Sequence, residues 1–328
     1  MHVSFFFRKP RENAYSIEHI FEGLCAHFKQ TGIIGIRKIQ VSTVRNLLTN
    51  IIQARAARSE VNHITGDIYY ISMGLNRHNT VLTIHDCVFT TKFSKYHPKY
   101  WLINLFWYQI PIRRSKTVTV ISEKTKQELI ELTGVSEDKI KIIPNFYDPL
   151  LIFKPKVFNK TCPRILQIGT KANKNLPRII EALKGIACEL DIIGKLDDEI
   201  LQLLKQSNIK YHNSSNIGFE EVKQKYELAD MVLFVSTYEG FGMPIIEANA
   251  VGRPIITSKL SPMSEIAADS AIKVNPYDVL DIKLAIMQLI ADDELQQKLI
   301  LNGLKNAERY NIETVSGKYL NLYKSLHH

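Results

Sequence analysis

The feature that most constrains the fold is an alternation. Short β-rich apolar runs are followed by longer amphipathic stretches along almost the whole chain, the pattern of parallel strands joined by helices that cover a sheet. In the first half the runs fall at residues 2–7, 33–41, 67–72, 81–85, 118–122 and 139–143, with helical periodicity at 16–30, 43–58, 96–110 and 123–133. In the second half runs at 164–168, 190–193, 209–212, 231–235, 254–258 and 271–274 alternate with helices at 176–187, 196–206, 219–228, 244–251, 278–290 and 293–310, and a last helix spans 312–326. Ile282, Ala285, Ile286 and Leu289 share one face of the helix at 278–290, which marks them as core.

The alternation is interrupted once. Pro149, Pro155 and Pro163 lie in a stretch without sustained period that comes after Pro144 and Asn145 and reads as a connection between domains. A chain of 328 residues also exceeds the usual size of one core. The expected division is a first domain at 1–150, a linker at 151–163, a second domain at 164–310 and a terminal helix at 311–328 that packs back toward the first. Open α/β sheets bind ligands beyond the carboxyl ends of their strands. Chemistry is therefore sought just after strands.

Composition removes several alternatives. With 45% hydrophobic and 23% charged residues the chain is a globular protein, not a disordered or fibrous one. The opening apolar residues are halted at once by Arg8 and Lys9 and read as a buried strand, not a secretory leader. No eighteen-residue apolar run occurs. Cys25, Cys87, Cys162 and Cys188 form no Cys-x-x-Cys pair, so reduced thiols in the cytoplasm are expected. A net charge of +9 favours anionic partners, whether phosphates, nucleic acid or a membrane surface.

The most informative segment runs from the strand at 231–235 through Ser236-Thr237-Tyr238-Glu239-Gly240-Phe241-Gly242-Met243-Pro244 to Glu247. Pro244 suits a first helical turn, where its missing N–H costs nothing, and the amides of Phe241, Gly242 and Met243 then point outward as an anion site. Gly240 and Gly242 permit close backbone approach. As bare residues the segment is equally a plain strand-to-helix turn with a solvated glutamate. A second segment, Gly169-Thr170-Lys171-Ala172-Asn173-Lys174-Asn175, also comes after a strand and opens a helix. Lys174, helped by Lys171, either neutralises a phosphate group or is a solvated surface lysine.

Glu239 and Glu247 form a Glu-x7-Glu arrangement around Gly-Phe-Gly-Met-Pro, and this closely resembles the signature of the retaining glycosyltransferases of family 4. The segment 247–256 and the stretch from Ser264-Glu265-Ile266 to Asn275-Pro276 resemble that family's next helix and strand and its closing segment, and 167–176 resembles its phosphate loop. The resemblance implies an α/β fold of the GT-B type, with two Rossmann-like doubly wound domains facing each other across a cleft. It implies transfer of a hexose, mannose or a related sugar, from a GDP- or UDP-linked donor to a saccharide or lipid-linked saccharide. The substrate-binding set is Gly169, Lys171, Gly240, Phe241, Gly242, Met243, Glu247 and Asp86, with Glu239, Lys174 and His85 as the catalytic candidates. His85 ends the strand at 81–85; a lone histidine there is either structural or in contact with the sugar. His63 and Asp67 read as ordering a turn around Gly66. The chain departs from the family at 8–13, where Arg8-Lys9-Pro10-Arg11-Glu12-Asn13 replaces a glycine pair.

No Asp-x-Asp occurs, so no metal or other cofactor is expected. An oxidoreductase would need Gly-x-Gly-x-x-Gly after a strand, which is missing. A nucleotide-sugar epimerase of the same architecture remains a competitor, and a basic nucleic-acid-binding protein is the rival from another class, although no motif for nucleic acid appears. The basic helix at 43–58 and the aromatic stretch at 96–108 with Arg113 and Arg114 fit peripheral contact with an anionic membrane on its cytoplasmic side, or equally a core-facing helix with a solvated basic face.

Overall fold

The computed structural model describes residues 1–9, 16–41, 47–87 and 97–327. Residues 10–13 of the departing segment, the first residues of the expected helix at 43–58, and Tyr96 lie outside the described residues. The chain divides into two units, Met1–Asn145 with Ile312–His328, and Phe146–Asn311.

In the first unit β1 (His2–Arg8), β2 (Gly35–Val41), β3 (Val61–Ile64), β4 (Thr80–Ile84), β5 (Thr117–Val120) and β6 (Ile140–Ile142) form one sheet in the order β2-β1-β3-β4-β5-β6. Every neighbouring pair is parallel. Helices α1 (Ser16–Thr31), α2 (Leu47–Ala56), α3 (Pro98–Ile103), α4 (Ile110–Arg113) and α5 (Glu123–Thr133) connect the strands. Helix α5 is capped as its sequence predicts, with Ser122 Oγ accepting from the Thr125 N–H and Gly134 closing the end at φ 65.

Three expectations differ from the structure. The run at 67–72 is not a strand: Tyr69–Gly74 is a 3-10 helix, and the third strand is β3. Asn62 and His63 concealed that strand because both are polar yet buried, Asn62 bonded to Ser59 and Asn79, and His63 to Thr83 and to Tyr323 far off in sequence. His63 therefore orders no turn. Its Nδ1 is 2.6 Å from Tyr323 Oη and its Nε2 2.7 Å from Thr83 Oγ1, while Asp67 pairs with Arg8. The helix expected at 96–110 is also broken, with a π-helical turn at Asn104–Gln109 before α4. Pro111 lacks an N–H and crowds the carbonyl four residues back, and the chain accommodates it by widening. Ile110 accordingly donates to the carbonyl of Leu105.

In the second unit β7 (Arg164–Ile168), β8 (Glu189–Ile193), β9 (Lys210–Ser214), β10 (Met231–Phe234), β11 (Ile255–Ser258) and β12 (Ala271–Val274) form another all-parallel sheet, ordered β12-β11-β10-β7-β8-β9. Its helices are α6 (Leu176–Leu183), α7 (Asp198–Ser207), α8 (Phe219–Leu228), α9 (Met243–Val251), α10 (Met263–Ala267), α11 (Val279–Ala291) and α12 (Asp293–Ala307). The proline-bearing stretch before β7 has no strand or helix but is tied to this unit. The Lys154 N–H donates to Val251 O, and buried Asp230 accepts from the amides of Asn159 and Arg164.

The last helix, α13 (Ile312–Lys324), belongs to the first unit. Tyr319 and Tyr323 are buried among Phe5, Phe21, Phe28 and His63. The four cysteines are free thiols.

Candidate active site

The second sheet reverses its strand order between β7 and β10, which are parallel neighbours with Leu166 beside Val232. At such a reversal the connections leave in opposite directions and open a crevice beyond the strand ends. Both loops singled out in the sequence start there.

Gly169 turns the first loop at φ +89, and a Cβ at this position would stand 2.9 Å from Lys174 Cε. Only bare backbone lets the lysine fold back across the loop. Lys174 Nζ lies 2.7 Å from Glu239 Oε1 and 4.7 Å from the centre of the Phe234 ring. Asn173 Nδ2 donates to the same carboxylate oxygen at 3.1 Å and to Tyr238 O at 2.9 Å, while the Thr237 N–H donates to Asn173 O at 2.8 Å. Asn175, buried in the left-handed region, donates to Val235 O at 3.1 Å and Pro276 O at 2.6 Å. These bonds knit the two loops into one surface. Lys171 gives its carbonyl to the Lys174 N–H and leaves its side chain exposed.

The second loop ends at Gly242, which takes φ +126, and α9 begins with Met243 and Pro244. First-turn amides have no acceptor inside a helix and carry the positive end of its dipole. The Phe241 side chain is buried against Tyr310, so this residue offers backbone alone. Gly240 and Met243 are half-buried. A lysine beside a helix start is an arrangement suited to a diphosphate. Gln167 Oε1 and Ser236 Oγ, at the ends of the same two strands, are buried with no hydrogen-bond partner among the described residues.

Glu247 sits one turn into α9 and accepts from Tyr226 Oη at 2.6 Å. Burial, together with the adjacent carboxylate, pushes the Tyr226 phenol far above its usual range, so it stays a donor. The tyrosine is itself framed by Arg253, whose buried guanidinium donates to the carbonyls of Tyr226, Glu227, Lys154, Val251 and Gly252. A cation at the carboxyl ends of α8 and α9 opposes their dipoles.

In the first unit the polar residues also gather at the carboxyl ends of strands. Arg8 closes β1 and bridges Glu18 at 2.7 Å and Asp67 at 3.0 Å. His85, just after β4, has Nε2 at 2.9 Å from Thr65 O and an edge contact with Phe21. Burial lowers its pKa, so the ring is neutral at pH 7. A carbonyl only accepts, so the proton sits on Nε2 and Nδ1 is an acceptor. Asp86 is half-buried beside it.

The sequence matches the family described as glycosyl transferases group 1 over residues 151–306 and the one described as glycosyltransferase family 4 over residues 34–149. The chain is a family 4 glycosyltransferase. It is 26% identical to O-antigen chain mannosyltransferase B of Escherichia coli over 84% of this chain and 77% of that one. It is 25% identical to the MMP alpha-(1->4)-mannosyltransferase of Mycolicibacterium hassiacum over 65% of this chain and 54% of that one. Among solved structures, Anabaena HepE in complex with UDP and glucose superposes with a TM-score of 0.78 at 13% identity, covering 99% of this chain and 100% of HepE. The fold is GT-B.

Of the residues named from the sequence, the second unit of this glycosyltransferase joins Gly169, Lys174 and Glu239 directly and holds Gly240 to Met243 at the start of the helix that carries Glu247. His85 and Asp86 belong to the first unit. Sequence reading missed Asn173, Asn175, Tyr226 and Arg8 as members of these sites. The two asparagines flank the lysine, and asparagine tolerates the left-handed conformation that such a turn demands; that was the available signal.

Proposed function

We propose that this glycosyltransferase moves a hexose, mannose being favoured, from a nucleotide diphosphate sugar to a saccharide or lipid-linked saccharide, with retention and without a metal ion. The observation that carries the reading is the contact of Lys174 with Glu239, which couples the phosphate-type loop to the helix start at the strand reversal. The mannosyltransferase relatives support the sugar, and the UDP and glucose of the HepE complex support a nucleotide-sugar donor.

In this reading the bond between the anomeric carbon and the diphosphate breaks while the acceptor oxygen bonds to the same face of that carbon, and the acceptor proton passes to the departing phosphate. Charge builds on the diphosphate, and Lys174 with the amides of Phe241 and Gly242 offsets it from fixed positions. Glu247 accepts from the ribose hydroxyls and Glu239 orients the sugar, and in the first unit His85 offers an acceptor nitrogen to a substrate hydroxyl. The absence of Asp-x-Asp in the sequence favours a metal-free reaction. Work at the cytoplasmic face of a membrane suits a lipid-linked acceptor. Among the described residues no helix is long and apolar enough to cross a membrane.

The test is product analysis with GDP-, UDP- and ADP-sugars, with and without a saccharide acceptor. Transfer is expected in the wild type and is expected to fall below detection in Glu239→Ala and Lys174→Ala, both with unchanged circular dichroism. Full activity in either variant sinks the site assignment, and an epimerised free nucleotide sugar made without acceptor favours the epimerase instead.

A further inference from the structure

The segment from α3 to α4 divides its side chains between two faces. Asn104, Tyr108 and Ile112 point inward and are at most 5% exposed, whereas Trp101, Leu102, Leu105 and Phe106 are 62%, 56%, 42% and 51% exposed. The sequence allowed a core-facing helix with a solvated basic side; the structure instead turns four large apolar side chains outward. The neighbouring elements continue this character. Trp107 rests on the rings of Tyr69 and Tyr70 in the 3-10 helix, and Asn50 of α2 donates to Tyr70 Oη at 2.6 Å, so α2, the 3-10 helix and the α3 segment lie side by side. Met73 of the 3-10 helix and Leu48 and Ile52 of α2 are exposed as well. Chains that work alone in water rarely leave so much apolar surface in one region.

Exposed arginines stand at the ends of two of these elements. Arg55 and Arg58 are exposed at the end of α2, and Arg113 and Arg114 at the end of α4, where Arg114 donates to the carbonyls of Met73 and Leu75. We propose that this face of the first unit docks on an anionic lipid bilayer, with Trp101, Leu102, Leu105 and Phe106 in the acyl boundary and the arginines at lipid phosphates. Indole and phenyl rings beside cations have the composition that settles at a bilayer interface. Charge selects this occupant over a second copy. A two-fold interface sets the same patch against itself, bringing arginine to arginine in a chain whose net charge is already +9. The proposal deepens the reading of a lipid-linked acceptor and rests on it for its purpose, not for the physics of adsorption.

The test is co-sedimentation of the full chain with vesicles of phosphatidylcholine alone and of phosphatidylcholine with phosphatidylglycerol. The wild type is expected to bind the anionic vesicles, weakly at high salt, and to leave the neutral ones. The variant Trp101→Ser/Leu102→Ser/Leu105→Ser/Phe106→Ser is expected to lose at least tenfold in binding; the single Phe106→Ser and Arg113→Glu variants, milder for folding, lose part of it. Trp101 and Trp107 are the two tryptophans, so Trp107→Phe leaves Trp101 as the sole reporter, and its emission should shift blue and be quenched by brominated lipid. Failure of the wild type to bind either vesicle, unaltered binding by the fourfold variant, or self-association that the fourfold variant abolishes while vesicles are ignored would each overturn the proposal. Thermal shifts with GDP, UDP and ADP on the same proteins keep the two readings apart: vesicle binding without any nucleotide response leaves the surface standing and removes the donor site, and the reverse removes the surface alone.

Discussion

Glu247 owes its orientation to a side chain that touches no solvent. Tyr226 is fully buried and holds one carboxylate oxygen from beneath, and a hydrogen bond to a charged group contributes roughly 1.5–3 kcal/mol. Tyr226→Phe keeps the ring and removes the bond. Isothermal titration should then show at least tenfold weaker binding of the preferred nucleoside diphosphate, with little change for its 2′,3′-dideoxy form, because the loss acts through the ribose hydroxyls. Equal weakening of both nucleotides would point to a general loosening of the second unit. Glu239, Glu247 and Lys174 were legible in the sequence because they stand in a spaced motif after strands. Asn173 and Tyr226 were not, because their meaning lies in contacts made 66 and 21 residues away. Arg8 was visible only as a departure from the family, and its pairing with Glu18 and Asp67 depends on how three chain segments meet.

At the scale of elements, α13 and β3 are joined through His63, which bridges Tyr323 and Thr83 in the interior of the first unit. Burial first, and His85 second, bring the His63 pKa from 6.5 down to about 3. As pH falls below 6.5 the unfolded chain takes up a proton that the folded one refuses, so this stabilisation is full above that value and declines toward pH 3. At pH 5 the loss is about 2 kcal/mol, and His85 acts in the same direction. Urea unfolding at pH 7 and pH 5 should show the drop, reduced in His63→Gln; equal stability at both values would contradict a buried neutral histidine. Strong periodicity made the elements legible: α5, α8, β7 and β12 lie where their sequences put them. It failed at β3, where polar side chains are satisfied from α13 and β4, and at Pro111, where helical periodicity does not report a widened turn.

At the scale of the whole molecule, two parallel sheets were readable because strand and helix signals alternate through both halves, although the third strand of the first was misplaced. Strand order was not, since it depends on which edges pair. That order gives the second unit its crevice, placing the loops after β7 and β10 side by side although 65 residues separate Lys174 from Glu239. The measurement that bears most directly on the central claim is binding of GDP, UDP and ADP to the wild type and to Lys174→Ala by titration calorimetry. One of the three should bind the wild type clearly more tightly than the others and lose at least tenfold in the variant, with the fold unchanged. Absence of binding by all three, or equal affinity in Lys174→Ala, would contradict a nucleotide-sugar site at this crevice.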